Sequence, residues 1–201
     1  MSGLFASLIA CAKVKLSPLF SDNMVLQQEA EVPVWGKASP EMRVIVIPSW
    51  SGEKYENIAD RTGNWKVNIK IPKAGGPYHL EIIDGEKVRL ENVMIGEVWL
   101  CSGQSNMQMP VEGWGKVKNY QQEVAQANYP NIRLMTVSNT ISLSPSQEFT
   151  AVGGGWQVCS SGTIREFSAA AYFFGREIAR TQQVPVGLIC AHWGGTNIES
   201  W

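Results

Sequence analysis

The fold is decided by one nearly continuous apolar stretch, Val93-Met94-Ile95-Gly96-Glu97-Val98-Trp99-Leu100-Cys101. Apolar side chains at successive positions are typical of a β-strand that is covered on both faces, as in a parallel sheet between helices. The stretch ends in Ser102-Gly103-Gln104-Ser105-Asn106-Met107, which is a turn of small and polar residues. We therefore predict that an α/β unit, residues 94–201, begins here and carries a functional loop at the carboxyl end of its first strand.

The chain beyond this turn alternates predicted helices and strands. A polar, helix-compatible region covers about 116–127, and residues 132–137 form an apolar strand pattern. Apolar residues recur at helical spacing over roughly 166–182, which predicts an amphipathic helix. A second apolar strand, 184–191, runs into Gly194-Gly195-Thr196. Alternating strands and helices predict βαβ units in a mostly parallel sheet.

Residues 14–93 have an all-β pattern instead. The segment Trp65–Ile71 alternates apolar and polar residues with the period of a half-buried strand. Turn signals separate it from the other predicted strands, 32–36, 43–47, 78–83 and 88–90. Short strands at this spacing predict a β-sandwich. His79 falls within one of them, and we interpret it as a structural or surface residue.

Composition excludes some classes of function. The chain is 44% hydrophobic with a formal net charge of -1, so it can bury a sizeable core but has no clustered basic surface for nucleic acid. Eight tryptophans are present. Such an excess fits a sugar-binding surface, although packing in cores and interfaces accounts for most tryptophans in proteins.

The four cysteines are Cys11, Cys101, Cys159 and Cys190. Their long spacings contain no CxxC pair, which argues against a zinc or redox motif. Four cysteines allow two disulfides in an oxidising compartment, but Cys101 and Cys190 lie in apolar runs, where a buried free thiol is favoured.

The first residues, 1–13, resemble an export signal. An apolar run ends in Ala10-Cys11-Ala12, which fits an A-x-A cleavage site. The same run fits a lipoprotein pattern in which Cys11 would carry a lipid anchor, although no Lys or Arg precedes Lys13. We expect an exported protein, periplasmic or extracellular, and no membrane span because no stretch of about 18 apolar residues occurs.

Two loops at predicted strand ends contain residues suited to catalysis. Ser105 follows a buried strand directly and is close to Gly103, an arrangement that can expose its hydroxyl as a nucleophile. Backbone N–H groups of Gly194 and Gly195 can point at a developing oxyanion. Residues of these types also occur at strand ends for turn and capping reasons alone, so the local pattern leaves both interpretations open.

Several motifs resemble, in order along the chain, those of the sialate O-acetylesterase family of SGNH hydrolases. The stretch 95–107 looks like the nucleophile block of that family, and 194–201 looks like its second block. The remaining matching stretches are 19–27, 32–36, 63–65 and 167–174. The resemblance covers the chain from about residue 14 to its last residue.

The resemblance implies a specific chemistry. Ser105 would attack the carbonyl of an acetyl ester on a sugar, sialic acid being the family's namesake, without a metal or organic cofactor. The N–H groups of Ser105 and of Gly194 or Gly195 would form the oxyanion hole. Residues expected to line the substrate site are Gln104, Asn106, His192 and Thr196.

The family's general base is not found in this sequence. Its Asp-x-x-His motif and its Gln-Gly-Glu-Ser block are both absent, the last aspartate is Asp84, and His192 is the only histidine after Ser105. His192 is not at the family's catalytic position, and a structural role is the favoured interpretation. We therefore expect the chain to be the N-terminal part of an esterase. It would be inactive without the missing C-terminal portion. A shortened reading frame or a split gene would produce such a chain.

Two other functions are compatible with the sequence. The first is a carbohydrate-binding β-sandwich joined to an inert hydrolase remnant. The second is an acetylesterase that acts on acetylated polysaccharide, for which Trp114 is a candidate sugar contact.

Overall fold

The computed structural model describes residues 14–144, 146, 148–197 and 199. The predicted export segment, with Cys11, lies outside the described residues. The strands in chain order are β1 Lys15–Leu16, β2 Val25–Gln27, β3 Glu31–Lys37, β4 Arg43–Pro48, β5 Tyr55–Ile58, β6 Asn64–Lys70, β7 Gly75–Ile83, β8 Lys87–Gly103, β9 Asn128–Thr136, β10 Gln157–Ser160 and β11 Val186–His192. The α-helices are α1 Ser105–Gln108, α2 Tyr120–Gln126 and α3 Ala169–Gln182, and a 3-10 turn spans Val152–Gly154.

The strands form two sheets. Strands β1, β3 and β6 make a three-stranded antiparallel sheet. The larger sheet has the order β10-β9-β11-β8-β7-β4-β5, and β2 pairs with β8 beside this path. Strands β9, β11 and β8 run parallel to one another, which confirms the parallel arrangement predicted for the second half of the chain. The structure is mostly β-sheet with few helices in the part that it describes.

Strand β8 is longer than predicted and joins the two halves of the chain. The strands predicted separately at 88–90 and 93–101 form one continuous strand in the structure. Its first part pairs antiparallel with β7, and Met94–Gly96 pairs with β2. Residues 97–103 then pair in parallel with β11. β8 therefore passes without a break through the predicted domain boundary at 93/94.

One hydrophobic core lies between the two sheets. Side chains of the small sheet and of the antiparallel part of the large sheet meet there with almost no exposure. Representative members are Val34, Val46, Ile69, Leu80 and Ile82. Trp65 and Trp156 also belong to this core, so these two tryptophans have a packing role.

A second core lies between the parallel strands and α3. Leu134 of β9, Leu188 of β11 and Tyr172 of α3 are completely or almost completely buried there. Helix α3 begins where the hydroxyl of Ser168 accepts a hydrogen bond from the Ala171 N–H, a standard N-terminal cap. Gly175 allows close approach, because a Cβ at this position would lie 2.5 Å from Leu188 Cδ1.

A buried arginine connects β9 to the β-rich half. The Arg133 guanidinium donates to the backbone carbonyls of Asn23, Asn92 and Pro130. Asn23 and Asn92 have φ of 66° and 55°, a left-handed conformation that asparagine tolerates better than most residues. Burial lowers the pKa of Arg133.

The described cysteines are buried free thiols, as expected for Cys101 and Cys190. These two residues are neighbours in register on β8 and β11. The hydrogen bond between their sulfurs, together with burial, raises the pKa of Cys190. Burial raises the pKa of Cys159 to about 12. The raised pKa makes Cys159 and Cys190 poor nucleophiles that act as small apolar side chains, whereas the hydrogen bond with Cys190 lowers the pKa of Cys101.

Candidate active site

The predicted nucleophile turn, residues 102–107, lies at the carboxyl end of β8. The strand ends at Gly103, whose φ of 148° is a conformation that favours glycine. α1 begins at Ser105, where the side chain is exposed. As the first residue of a helix, Ser105 has a backbone N–H without an intrahelical partner. Ser105 thus lies in an exposed position with a backbone N–H that no helical carbonyl occupies.

The second predicted loop lies directly beside this turn. β11 ends at His192 in register with Gly103, and the Trp193 N–H donates to the Gly103 carbonyl at 3.0 Å. A Cβ placed on Gly194 would lie 3.4 Å from both Cα and Cβ of Ser105. The structure therefore brings together Ser105 and the glycine loop, as expected for strand ends at one side of a parallel sheet.

The two glycines differ in their available N–H groups. The Gly194 N–H donates to Gln108 Oε1 at 2.6 Å. Gly195 has a φ of 80° and is exposed, and a Cβ placed on it would meet no atom within 4 Å. Its N–H makes no hydrogen bond within the described part of the chain. Gly195 therefore has the N–H that is free to bind a new acceptor, since Gly194 would first have to release Gln108.

The sequence did not single out Gln108, which lies on α1 one turn after Ser105. Its side chain links the nucleophile turn to the glycine loop. The only sequence signal for Gln108 was its position three residues after Ser105, because residues three apart on a helix lie on the same side. That signal is weak for a polar residue on a short helix.

His192 is buried and does not pair with Ser105. It is 9% exposed, and its Nδ1 has no hydrogen-bond partner in the described residues. Burial lowers its pKa, which favours the neutral ring at neutral pH. Along β11 its side chain alternates onto the same face as Cys190, towards α3. No hydrogen bond among the described residues reaches Ser105 Oγ.

The remaining predicted site residues surround these groups. Gln104 and Asn106 flank Ser105 and are exposed. The Thr196 hydroxyl donates to the Trp193 carbonyl at 2.7 Å, which closes the glycine loop. No group of three or more His, Cys, Asp or Glu side chains in the described chain is arranged to hold a metal ion.

An exposed serine at the end of a parallel strand, beside a glycine loop, is an arrangement that α/β hydrolases use for a catalytic serine. The family model described as "Carbohydrate esterase, sialic acid-specific acetylesterase" matches residues 95–201. The chain belongs to this family.

Curated relatives carry the name sialate O-acetylesterase. The proteins from Pongo abelii and Homo sapiens are each 33% identical over 98% of this chain, and the Mus musculus protein is 33% identical over 90%. The chain spans 40% of the length of the first two and 36% of the third. The alignments therefore leave more than half of each relative without a counterpart here.

A solved structure has the same fold over the matched region. The chain is similar to a carbohydrate acetylesterase from Xanthomonas citri, with a TM-score of 0.86 and 36% sequence identity. The match covers 94% of this chain and 42% of that protein. None of the helices described here has the length and apolar character needed to cross a bilayer.

Proposed function

We propose that this chain is the nucleophile-bearing part of an esterase that removes O-acetyl groups from sialic acid or a related sugar. The observation that carries the proposal is the contact between the exposed Ser105 turn and the Gly194–Gly195 loop. The names of the relatives support an acetylated sugar as substrate.

The geometry supports acyl transfer through a covalent intermediate. Ser105 Oγ attacks the acetyl carbonyl, and the N–H groups of Ser105 and Gly195 stabilise the negative oxygen that develops. One such donor contributes about 3–4 kcal/mol in comparable sites. The sugar hydroxyl leaves with a proton, and water then releases acetate from the acetyl-serine.

The general base comes from polypeptide outside residues 1–201. A serine hydroxyl is a weak nucleophile unless a base accepts its proton. His192 is turned towards α3 and has no hydrogen bond to Ser105 in the described structure. By resemblance the base is the histidine of an Asp-x-x-His motif, which this sequence lacks.

The proposal includes the division of the chain and its location. Residues 14–93 would form a β-sandwich domain, and 94–201 the first part of an SGNH-type α/β/α esterase domain. The shared core between the two sheets supports the first assignment, and the parallel strands with α3 support the second. Export to the periplasm or outside the cell follows from the signal-like residues 1–13.

A polysaccharide substrate is the second candidate. Trp114 is 69% exposed and lies in the segment between α1 and α2, which follows the nucleophile turn. An exposed indole can pack against a sugar ring. A longer acetylated chain would use this contact more fully than a single sialic acid.

A binding module with an inert remnant has less support. Trp35 and Trp50 are half-buried, and Trp65 is buried in the core between the sheets. The tryptophans of 14–93 therefore do not present the open aromatic surface that such a module needs.

The chain alone should hydrolyse a chromogenic acetyl ester at a rate close to background. The reason is that no base among the described residues forms a hydrogen bond with Ser105 Oγ. The measurement is steady-state turnover of p-nitrophenyl acetate by the purified chain and by its Ser105→Ala variant, which should be indistinguishable. Robust turnover that Ser105→Ala abolishes would contradict the external base and point to His192.

A chimera tests the activity itself. Residues 14–201 replace the matched part of the Xanthomonas citri acetylesterase, which supplies the remaining polypeptide. We expect deacetylation of O-acetylated sialic acid or acetylated xylan, and a loss on the order of 10⁴-fold or more in kcat with Ser105→Ala. A folded chimera that keeps its activity without Ser105 would refute the assignment.

A further inference from the structure

Two buried thiols are neighbours on the strands that lead to the Ser105 turn and the glycine loop. Cys101 of β8 and Cys190 of β11 lie opposite each other in the parallel register. Both side chains belong to the core on the α3 face, where they are 6% and 0% exposed. Each cysteine comes four residues before a residue of the candidate site, Ser105 or Gly194.

The spacing of adjacent strands suits a bond between these two sulfurs. Neighbouring strands lie about 4.8 Å apart, and the Cα atoms of a disulfide are usually about 4.4–6.8 Å apart. The Cβ atoms of a disulfide are on average only about 3.8 Å apart, so the bond would draw β8 and β11 slightly together. The bond can therefore form in the folded chain, and a geometry adjusted in this way makes it easy to reduce.

The two thiols differ in their reactivity. The hydrogen bond with Cys190 lowers the pKa of Cys101. The same hydrogen bond, burial and the charge of Cys101 raise the pKa of Cys190. Because the thiolate is the form of cysteine that reacts with oxidants, Cys101 is the thiol that reacts first. Oxidation of Cys101 then removes the charge that opposes ionisation of Cys190.

Cys101 is also the thiol that a small molecule can approach. It lines a groove of about 360 Å³ between β8 and α3, together with Met107 and Phe174. A water molecule takes up about 30 Å³ in the liquid, so the groove has room for a molecule as small as hydrogen peroxide. Cys190 has no exposed surface and is in contact with Cys101 instead.

Cys159 lacks these features although it is a buried thiol as well. It has no exposed surface, and burial raises its pKa to about 12. Its neighbour in register on β9 is Tyr129 and not a cysteine. The partner thiol thus distinguishes Cys101 from a cysteine that only fills space.

We propose that Cys101 and Cys190 form a modification site, at which a hydroperoxide converts the two thiols into a reversible disulfide between β8 and β11. The Cys101 sulfur attacks one peroxide oxygen, the O–O bond breaks, and the departing hydroxide takes up the Cys101 proton as water. Cys190 then attacks the sulfur of the Cys101 sulfenic acid. The S–S bond forms while the S–O bond breaks, and the Cys190 proton leaves with the hydroxyl as a second water. The two thiols lose two electrons, which the peroxide gains.

Peptide mapping after peroxide treatment tests the proposal. Trypsin places every cysteine of the chain in a peptide of its own, with Cys11 in 1–13, Cys101 in 90–116, Cys159 in 134–165 and Cys190 in 181–201. The folded chain is treated with hydrogen peroxide and denatured, its remaining thiols are alkylated, and the monomer is digested. We expect peptides 90–116 and 181–201 to be joined and to separate on reduction with dithiothreitol. Peptide 134–165 should carry an alkylated cysteine.

Three variants assign the roles of the thiols. Cys190→Ser should give no joined peptides and should leave Cys101 as a sulfenic acid that dimedone traps. Cys101→Ser should slow the oxidation of Cys190 at least tenfold. Cys159→Ser is the matched control at another buried cysteine, and it should leave the rate of joining unchanged.

Three results with the unchanged chain would overturn the modification site. They are alkylated Cys101 and Cys190 after a treatment that fully oxidises glutathione, oxidation of Cys159 as fast as that of Cys101, and joined peptides that occur only in covalent dimers. Because these results need no variant, the test does not depend on whether a substituted chain folds.

Discussion

Gln108 joins the nucleophile turn to the loop after β11 through one hydrogen bond. Its Oε1 accepts from the Gly194 N–H at 2.6 Å, across 86 residues of sequence. This bond holds the glycine loop beside the Ser105 turn. It occupies the Gly194 N–H, so the Gly195 N–H is the hydrogen-bond donor that remains available.

Gln108→Ala should loosen this loop without unfolding the protein. The Gly194 N–H loses its acceptor, so its amide exchange should speed up at least tenfold and the free energy of unfolding should fall by about 1 kcal/mol. Amide exchange followed by NMR and urea unfolding measure the two effects. Gln108→Glu, which keeps an acceptor oxygen, should retain the protection.

The control for this substitution is Gln122→Ala on α2, where the side chain is exposed. It should change stability by less than about 0.5 kcal/mol. If Gln108→Ala leaves the Gly194 amide as protected as in the unchanged protein, the bond does not hold the loop.

Sequence reasoning could predict the candidate nucleophile, Ser105, but not Gln108, which holds the neighbouring glycine loop. Ser105 follows a long apolar strand, and a strand end of a parallel sheet is a recurrent place for catalysis. Gln108 is a polar residue on a short helix, and its partner is a backbone N–H that only the folded chain brings near. Such a contact has no local signature.

Gly96 is a point on β8 where the backbone of another segment approaches closely. A Cβ there would lie 1.9 Å from the Pro185 carbonyl oxygen, which belongs to the backbone just before β11. Because a backbone carbonyl cannot turn aside like a flexible side chain, Gly96→Ala should force β8 and β11 apart. We expect a loss of about 3 kcal/mol in the free energy of unfolding, measured by urea titration.

Gly162→Ala is the control for Gly96→Ala. A Cβ there meets only Ser160 Oγ, at 3.8 Å. Gly162→Ala should therefore be tolerated within about 0.5 kcal/mol. Equal stability of Gly96→Ala and Gly162→Ala would show that β8 and β11 can separate at little energetic cost.

The helices and strands with a strong hydrophobic periodicity were predicted from the sequence, whereas the shortest strands were not. The helix expected over 166–182 is α3, and the strand expected at Trp65–Ile71 is β6. β1, β2, β5 and β10 have two to four residues each, too few to show a clear alternating pattern. β8 looked like two strands because the polar Glu91 and Asn92 interrupt its apolar pattern.

The two halves of the molecule should unfold together. β8 belongs to both, Met135 and Trp156 of the second half enter the core between the sheets, and Arg133 binds residues of the first half. We expect one transition, with coincident urea curves from far-ultraviolet circular dichroism and from tryptophan fluorescence. Two separated transitions would show that residues 14–93 and 94–201 are energetically independent.

Because β8 is one continuous strand, a single residue cannot be inserted into it or deleted from it without changing the faces of the residues that follow. Side chains alternate between the two faces of a strand, so inserting or deleting one residue between Gly96 and Ser102 would exchange the faces of every later position in β8. Cys101 would then leave the α3 side, and the serine turn would start from the wrong face. A change of two residues would restore the faces but move the turn by about 7 Å along the strand. Loops of this protein can therefore change length in single residues, whereas the strand that leads to Ser105 cannot.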